Sequence, residues 1–291
     1  MTLRSACSAE TRPPGTGGPP RIFEGYVVDL DGTVYLGDEP MPGAVDALAR
    51  IRAAGSRVVF LTNNPLRSAA DYAKRLRGLG IQADEREVVT PLAVLTSYLR
   101  EHHPGAAVLT VAEPLVDETL RAAGITVTTE PSDADVVVVS FDRTFGYAKL
   151  LRAFRAVRRR GAAILATNPD PFCPSPDGGL PDCAAMLAAV EACTGERARA
   201  VLGKPGPQMA AEVRSRLAVR ASDAAMVGDR ILTDVAMSRA LEMTSILVLS
   251  GATSPGEVAA SSVQPDYVIG NLAGLRPPEG PDNPASPREQ K

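Results

Sequence analysis

The chain has 291 residues, among them two histidines, four cysteines and no tryptophan, and its 31 Lys and Arg against 34 Asp and Glu leave a formal net charge of −3. With no basic tract, a nucleic acid partner is disfavoured, and the sparse imidazoles, His102 beside His103, count against Ser-His-Asp and Cys-His hydrolases. Cys7, Cys173, Cys183 and Cys193 form no C-x-x-C pair, so zinc is disfavoured too, and carboxylates, lysine and backbone groups are left to carry any catalysis. A content of 45% apolar and 22% charged residues suits a soluble globular chain of one large or two ordinary domains. No run approaches a membrane span and no signal-peptide core is present, and the unpatterned cysteines point to a reduced, cytoplasmic compartment.

Residues 1–20, rich in Pro and Gly, and residues 277–291 read as disordered tails. Between them, short Val, Ile and Leu runs alternate with longer amphipathic segments, the pattern of buried strands joined by helices in an α/β fold. In chain order the pattern predicts strand Tyr26–Leu30, helix Gly43–Ala54, strand Arg57–Leu61, helices Ser68–Leu79 and Pro91–Arg100, and strand Ala106–Val111. Helix Leu115–Ala123, strands Gly124–Val127 and Asp135–Ser140, helix Tyr147–Arg160, strand Ala162–Ala166 and helix Asp182–Cys193 follow. The chain continues with strand Arg199–Leu202, helix Gln208–Leu217, strand Ala224–Val227, helix Asp234–Leu241, and strands Ser245–Leu249 and Tyr267–Ile269. So many strands are too many for one ordinary parallel sheet. The polar strip Gln82–Glu87 and the segment Ala198–Ala200 are the best junctions, enclosing an inserted α/β unit over 84–199 between core segments 21–83 and 200–276.

Four segments carry chemistry. The first strand runs into Asp29-Leu30-Asp31-Gly32-Thr33, and two carboxylates at the end of a buried strand are costly unless a ligand or cation uses them. One could stay ionised as nucleophile while its neighbour, with a raised pKa, moves a proton; alone, the tetrapeptide also fits calcium loops and ordinary turns. Thr62-Asn63-Asn64 precedes a helix and reads equally as an anion site or an N-cap. Lys204 stands at a strand end, where a lone lysine is usually a surface residue, and Gly228-Asp229 leads through Arg230 to Asp234 as a second acidic group. All four fall at strand carboxyl ends, where open α/β sheets collect ligands, and together they suit oxygen-ligated Mg²⁺ plus a phosphate.

In this order the segments resemble the haloacid dehalogenase (HAD) superfamily, closest to subclass IIA, the NagD-like, para-nitrophenyl phosphatase and pyridoxal phosphatase type. The resemblance covers about residues 22–275 and includes Thr62-Asn63-Asn64, Gly203-Lys204-Pro205, Gly228-Asp229-Arg230 with Thr233-Asp234, and Ser140–Arg143 and Ala166–Asp170 in the insert. It implies a Rossmann-like core with a parallel sheet, an inserted α/β cap of type C2, and a Mg²⁺-dependent phosphatase acting on a small phosphate ester, sugar-like or cyclitol. By resemblance, Asp29 attacks phosphorus, Asp31 protonates the leaving alcohol and then activates water, and Thr62 and Lys204 hold the phosphoryl group. Asp29, the Asp31 carbonyl and Asp229 would bind Mg²⁺, supported by Asp234, Asn63, Gly32 and Thr33. Asp142, Arg143, Asn168, Asp170, Asp182, Cys183 and Arg230 are the candidate specificity residues, with Phe141, Phe145 and Tyr147 also to be tested. One departure is that relatives carry a small P-G-x-G turn where this chain has Pro181-Asp182-Cys183-Ala184; Asp182 and Cys183 either cap and pack the next helix or reshape the pocket. A phosphotransferase or mutase, and a non-catalytic phosphate sensor, are the competing readings, and pairing of the caps into a homodimer is left open.

Overall fold

The computed structural model describes residues 15–175 and 178–275. The elements are, in order, β1 (Gly15–Thr16), β2 (Gly25–Asp29), β3 (Tyr35–Leu36), β4 (Glu39–Pro40), α1 (Ala44–Ala53), β5 (Arg57–Leu61), α2 (Ala69–Gly78), β6 (Val88–Val89) and α3 (Pro91–His102). There follow β7 (Val108–Val111), α4 (Pro114–Ala122), β8 (Val136–Val139), α5 (Tyr147–Arg155), β9 (Ala163–Ala166), β10 (Phe172–Cys173), β11 (Leu180–Pro181), α6 (Cys183–Thr194) and β12 (Ala200–Val201). The chain closes with α7 (Pro207–Leu217), β13 (Ala224–Gly228), α8 (Ala236–Leu241), β14 (Thr244–Val248), α9 (Pro255–Ala260) and β15 (Tyr267–Ile269).

Two sheets organise the molecule, as the alternating pattern anticipates. The larger is parallel, in the order β1-β15-β14-β13-β2-β5-β6, and the smaller, also parallel, runs β12-β9-β8-β7. Their central strands are mostly apolar, Val136–Val139 being four buried valines, because helices cover both faces. At several helix starts a side chain replaces a missing backbone acceptor: Ser68 accepts from Asp71 N, Thr90 from Ala93 N ahead of Pro91, and Ser254 forms a reciprocal capping box with Glu257.

One face of the large sheet packs on α1 and α2 through Leu48, Ile51, Tyr72 and Leu76. The other face shares one apolar cluster with the small sheet: Val27, Val59 and Leu61 join Val108, Val136 and Leu165 through Leu95 and Leu99 of α3 and Met209 and Val213 of α7. The far face of the small sheet is closed by α5 and α6.

Several expectations move. The Val88–Val89 pair hydrogen-bonds β5 in the large sheet and Ala200–Val201 hydrogen-bonds β9 in the small one, so the crossings fall between Val89 and Val108 and after Val201, not at 84 and 199/200. The polar strip near 84 is a short turn capped by Asp84 and Glu87, which is why it looked like a junction. Gly124–Val127 makes only a single bridge, Val127 to Val108, because Gly124 closes α4 with a positive φ and too few residues remain to build a ladder. The expected tail over 1–20 is corrected from Gly15 onward, where β1 adds to β15 in parallel and Pro19 is buried; residues 1–14, Cys7 among them, and 276–291 lie outside the described residues. No helix among the described residues is long and apolar enough to cross a membrane.

Candidate active site

The carboxyl ends of the two sheets face one another, and the acidic and basic groups singled out in the sequence meet there. Asp29 ends β2, Thr62 follows β5 and Asp229 follows β13, while Asn168 and Asp170 follow β9 and Lys204 follows β12. A small cavity of about 30 Å³ between them is lined by Asp29, Asp31, Thr62, Lys204, Asp229 and Arg230 on one side. Asp170, Asp182, Phe172 and Cys173 line the other.

The Lys204 ammonium is the hub. Its Nζ donates to Asp29 Oδ1 and, at 2.8 Å, to Asp234 Oδ1, and all three side chains are buried. Burial works against its charge, yet Asp234 and Asp29 outweigh that and hold its pKa above the ordinary lysine value. Asp29, Asp229 and Asp234 offer oxygens that all lie within 4.8 Å of one another. Burial, with Asp234 and Asp229 adding repulsion, pushes the Asp29 pKa up against the pull of Lys204. Burial and Asp234 push Asp229 up to about 7, although Ala252 N–H donates to its Oδ2 at 2.6 Å. Three buried carboxylates against one ammonium leave a surplus of negative charge in a hard-oxygen donor set, which fits a divalent cation of the Mg²⁺ kind.

The Asp31 carboxylate stands apart from that triad. Thr62 Oγ1 lies 3.4 Å from its Oδ2 and also accepts from Asn64 N at 3.0 Å. Burial raises the Asp31 pKa, with Arg75, Lys204 and Thr62 opposing, so its side chain is disposed to carry a proton. The Asp31 side chain is not part of the acidic cluster, and Asp234, expected as a supporting residue, joins Asp29 and Asp229 in it because the turn after β13 brings its carboxylate beside Asp29.

Close backbone approach is needed throughout the site. A Cβ on Gly228 would fall 2.3 Å from Asp234 Cγ, and one on Gly203 would fall 2.7 Å from both Asn63 Oδ1 and Thr167 O. Gly32 has φ +84° and a Cβ there would meet Asp229 Oδ2 at 2.6 Å, so this turn lets the second acid reach the first. Thr33 is buried beside the turn and does not line the cavity.

Asn63 ties the sheets together. Its Oδ1 accepts from Lys204 N at 2.7 Å, its Nδ2 donates to Asp170 Oδ2 at 2.9 Å, and its backbone oxygen accepts from Asn168 Nδ2 at 2.9 Å. Arg230 spans the same gap, donating to Phe172 O at 2.8 Å with its guanidinium 4.8 Å from the Phe172 ring centroid and 3.9 Å from Asp170 Oδ1.

Three expected specificity residues lie elsewhere. Asp142 is buried in an ion pair with Lys149 at 2.6 Å and accepts from Thr144 N, and Arg143 forks onto Glu113 at 2.8 and 3.2 Å. Cys183 is buried in the core of the small sheet, its thiol donating to Val139 O, so it packs rather than shapes the cavity. Phe141 is buried and Phe145 packs against that same core, while Tyr147 is exposed. Thr233, quoted only within its motif, also lines the cavity, and Phe172, Cys173 and Pro174 line it without having been foreseen. Only the order Asn168-Pro169-Asp170 ahead of them pointed that way.

Similarity to known proteins agrees with this arrangement. The family described as haloacid dehalogenase-like hydrolase matches residues 26–126, and a second HAD-hydrolase-like family matches 201–275. The sugar-phosphatase AraL of Bacillus subtilis is 37% identical over 249 residues, covering 85% of this chain and 90% of its own. The chain belongs to the haloacid dehalogenase superfamily, subclass IIA. The 4-nitrophenylphosphatase of Thermotoga maritima superposes with a TM-score of 0.80 at 33% identity over 87% of this chain and 96% of that one. The glycerol phosphate phosphatase of Mycobacterium tuberculosis in complex with magnesium gives 0.79 at 35% identity over 87% and 76%.

Proposed function

We propose that this phosphomonoesterase of the HAD superfamily hydrolyses a small sugar-like or cyclitol phosphate with Mg²⁺, through a phosphoenzyme on Asp29. The observation that carries the reading is the buried contact of Lys204 with both Asp29 and Asp234, which places a fixed positive charge beside an otherwise costly nucleophile. The names of the relatives, a sugar phosphatase and a glycerol phosphate phosphatase, support the substrate class. The free thiols of Cys173 and Cys183 suit a cytoplasmic setting.

An Asp29 carboxylate oxygen forms a bond to phosphorus as the bond to the ester oxygen breaks, and Asp31, with its raised pKa, gives its proton to the departing alkoxide. Asp31, now ionised, takes a proton from the water that attacks the aspartyl phosphate, releasing phosphate and restoring Asp29. Lys204 and the Thr62 hydroxyl hold the transferring oxygens, positioning being the larger part of catalysis in phosphoryl transfer. Asp29 and Asp229 would hold Mg²⁺, with Asp234 beside them, and the ion would offset the charge of the phosphate dianion against these acids.

The test is phosphate release from para-nitrophenyl phosphate. Asp29→Asn is expected to lower turnover by on the order of a thousandfold or more, and a chelator is expected to abolish wild-type activity until Mg²⁺ is returned. Full activity in Asp29→Asn would overturn the reading, and phosphate release with no alcohol acceptor present excludes an obligate transferase.

A further inference from the structure

The wall facing Lys204 is acidic, and one of its oxygens is unused. Asp182 is 2% exposed and lines the cavity. Its Oδ1 alone meets the structural needs of the place: it accepts from Cys183 N at 2.6 Å, capping α6, and from Asn168 Nδ2 at 3.3 Å. Among the described residues Oδ2 accepts no hydrogen bond. No cation among them reaches Asp182 within ion-pair distance, for Arg230 is committed to Phe172 and lies 3.9 Å from Asp170. A capping role needs one acceptor, which Asn or Ser supplies equally, so the cap does not explain why a second oxygen is left to the cavity that Asp182 lines.

On the phosphatase reading the phosphoryl group is held by Lys204 and Thr62, so the leaving group faces the part of the cavity that Asp182 and Asp170 line. A hydroxyl on the leaving group can donate to the free oxygen, and this holds in either protonation state because a neutral acid can donate in turn. Above pH 7, where Asp182 ionises, a carboxylate there is disfavoured by repulsion in a poorly hydrated space.

Resting on the phosphatase reading above, we infer that Asp182 determines specificity: its Oδ2 accepts a hydroxyl of an uncharged polyol leaving group and excludes esters whose leaving group bears a carboxylate.

The experiment compares glycerol 3-phosphate with 2-phosphoglycolate for the wild type, Asp182→Asn and Asp182→Ser, both variants keeping a capping side chain. The wild type is expected to favour the polyol ester at least tenfold in kcat/KM. In both variants the ratio is expected to fall at least tenfold, with phosphoglycolate gaining. A ratio that stays the same in both folded variants overturns the inference and leaves the phosphatase reading intact. Failure of the wild type to release phosphate from any ester instead overturns the phosphatase reading, and the inference with it.

Discussion

Two oxygens on one side chain are under opposing demands in Asp182. Burial, with Asp170 adding repulsion, raises its pKa to about 7, the Cys183 N–H and Asn168 pulling the other way. An unfolded aspartate ionises near pH 4, so between about pH 4 and 7 the folded chain retains a proton that the unfolded chain has released. Folding stability attributable to this residue therefore falls as pH rises through that window, and levels off above it. Asp182→Asn keeps the cap without the titration. Its folding stability is expected to gain on the wild type from pH 5 to pH 7.5, by on the order of a few kcal/mol at most, seen as a rising difference in melting temperature. Thermal melts at several pH values would show this, and a gap that narrows with rising pH would refute it. Lys204 illustrates the other limit of legibility at this scale. A lone strand-end lysine is uninformative alone, and only its company, Asp29 and Asp234 at separations of 175 and 30 residues, reveals its role.

The hairpin of β10 and β11 lies across the mouth of the cavity, held by Arg230 on Phe172 and by Asn64 Nδ2 on the Cys173 thiol at 3.4 Å. A space of about 30 Å³ admits roughly one water, so the walls must part to admit a phosphate ester, and this hairpin of two-residue strands is expected to move most readily. Amides of Phe172, Cys173 and Leu180 are expected to exchange with deuterium far faster than those of Ala163–Ala166 in β9. Inorganic phosphate with Mg²⁺ should slow the hairpin alone; equal protection of both strands without ligand would count against the motion. The same hairpin explains what the sequence withheld. Buried strands such as Val136–Val139 announce themselves as apolar runs, and acids at their ends are conspicuous because burying them is costly. Two-residue strands such as Phe172–Cys173 and Val88–Val89 have no periodicity to read. Asp182 and Cys183 are consecutive, yet at the start of a helix one side chain meets the cavity and the next enters the core, which spacing alone did not separate.

Across the whole molecule the two sheets are joined by one apolar cluster, with α3 and α7 between them. The orientation of the acidic wall toward Lys204 therefore depends on core packing as well as on Asn63. Leu99→Ala, in α3, is expected to cost about 2–5 kcal/mol and to lower a single cooperative melting transition. Calorimetry resolving two transitions, only one of them displaced, would show that the sheets unfold independently. Long reach along the chain has a further consequence. Ser250 Oγ donates to Gly32 O across 218 residues, and Ala252 N meets Asp229 in the same turn. A growing polypeptide thus carries Asp29, the proposed nucleophile, long before Lys204, Asp229 and Ala252 have been synthesised. On the proposed mechanism, prematurely terminated products that end before Lys204 are expected to release no phosphate from its esters.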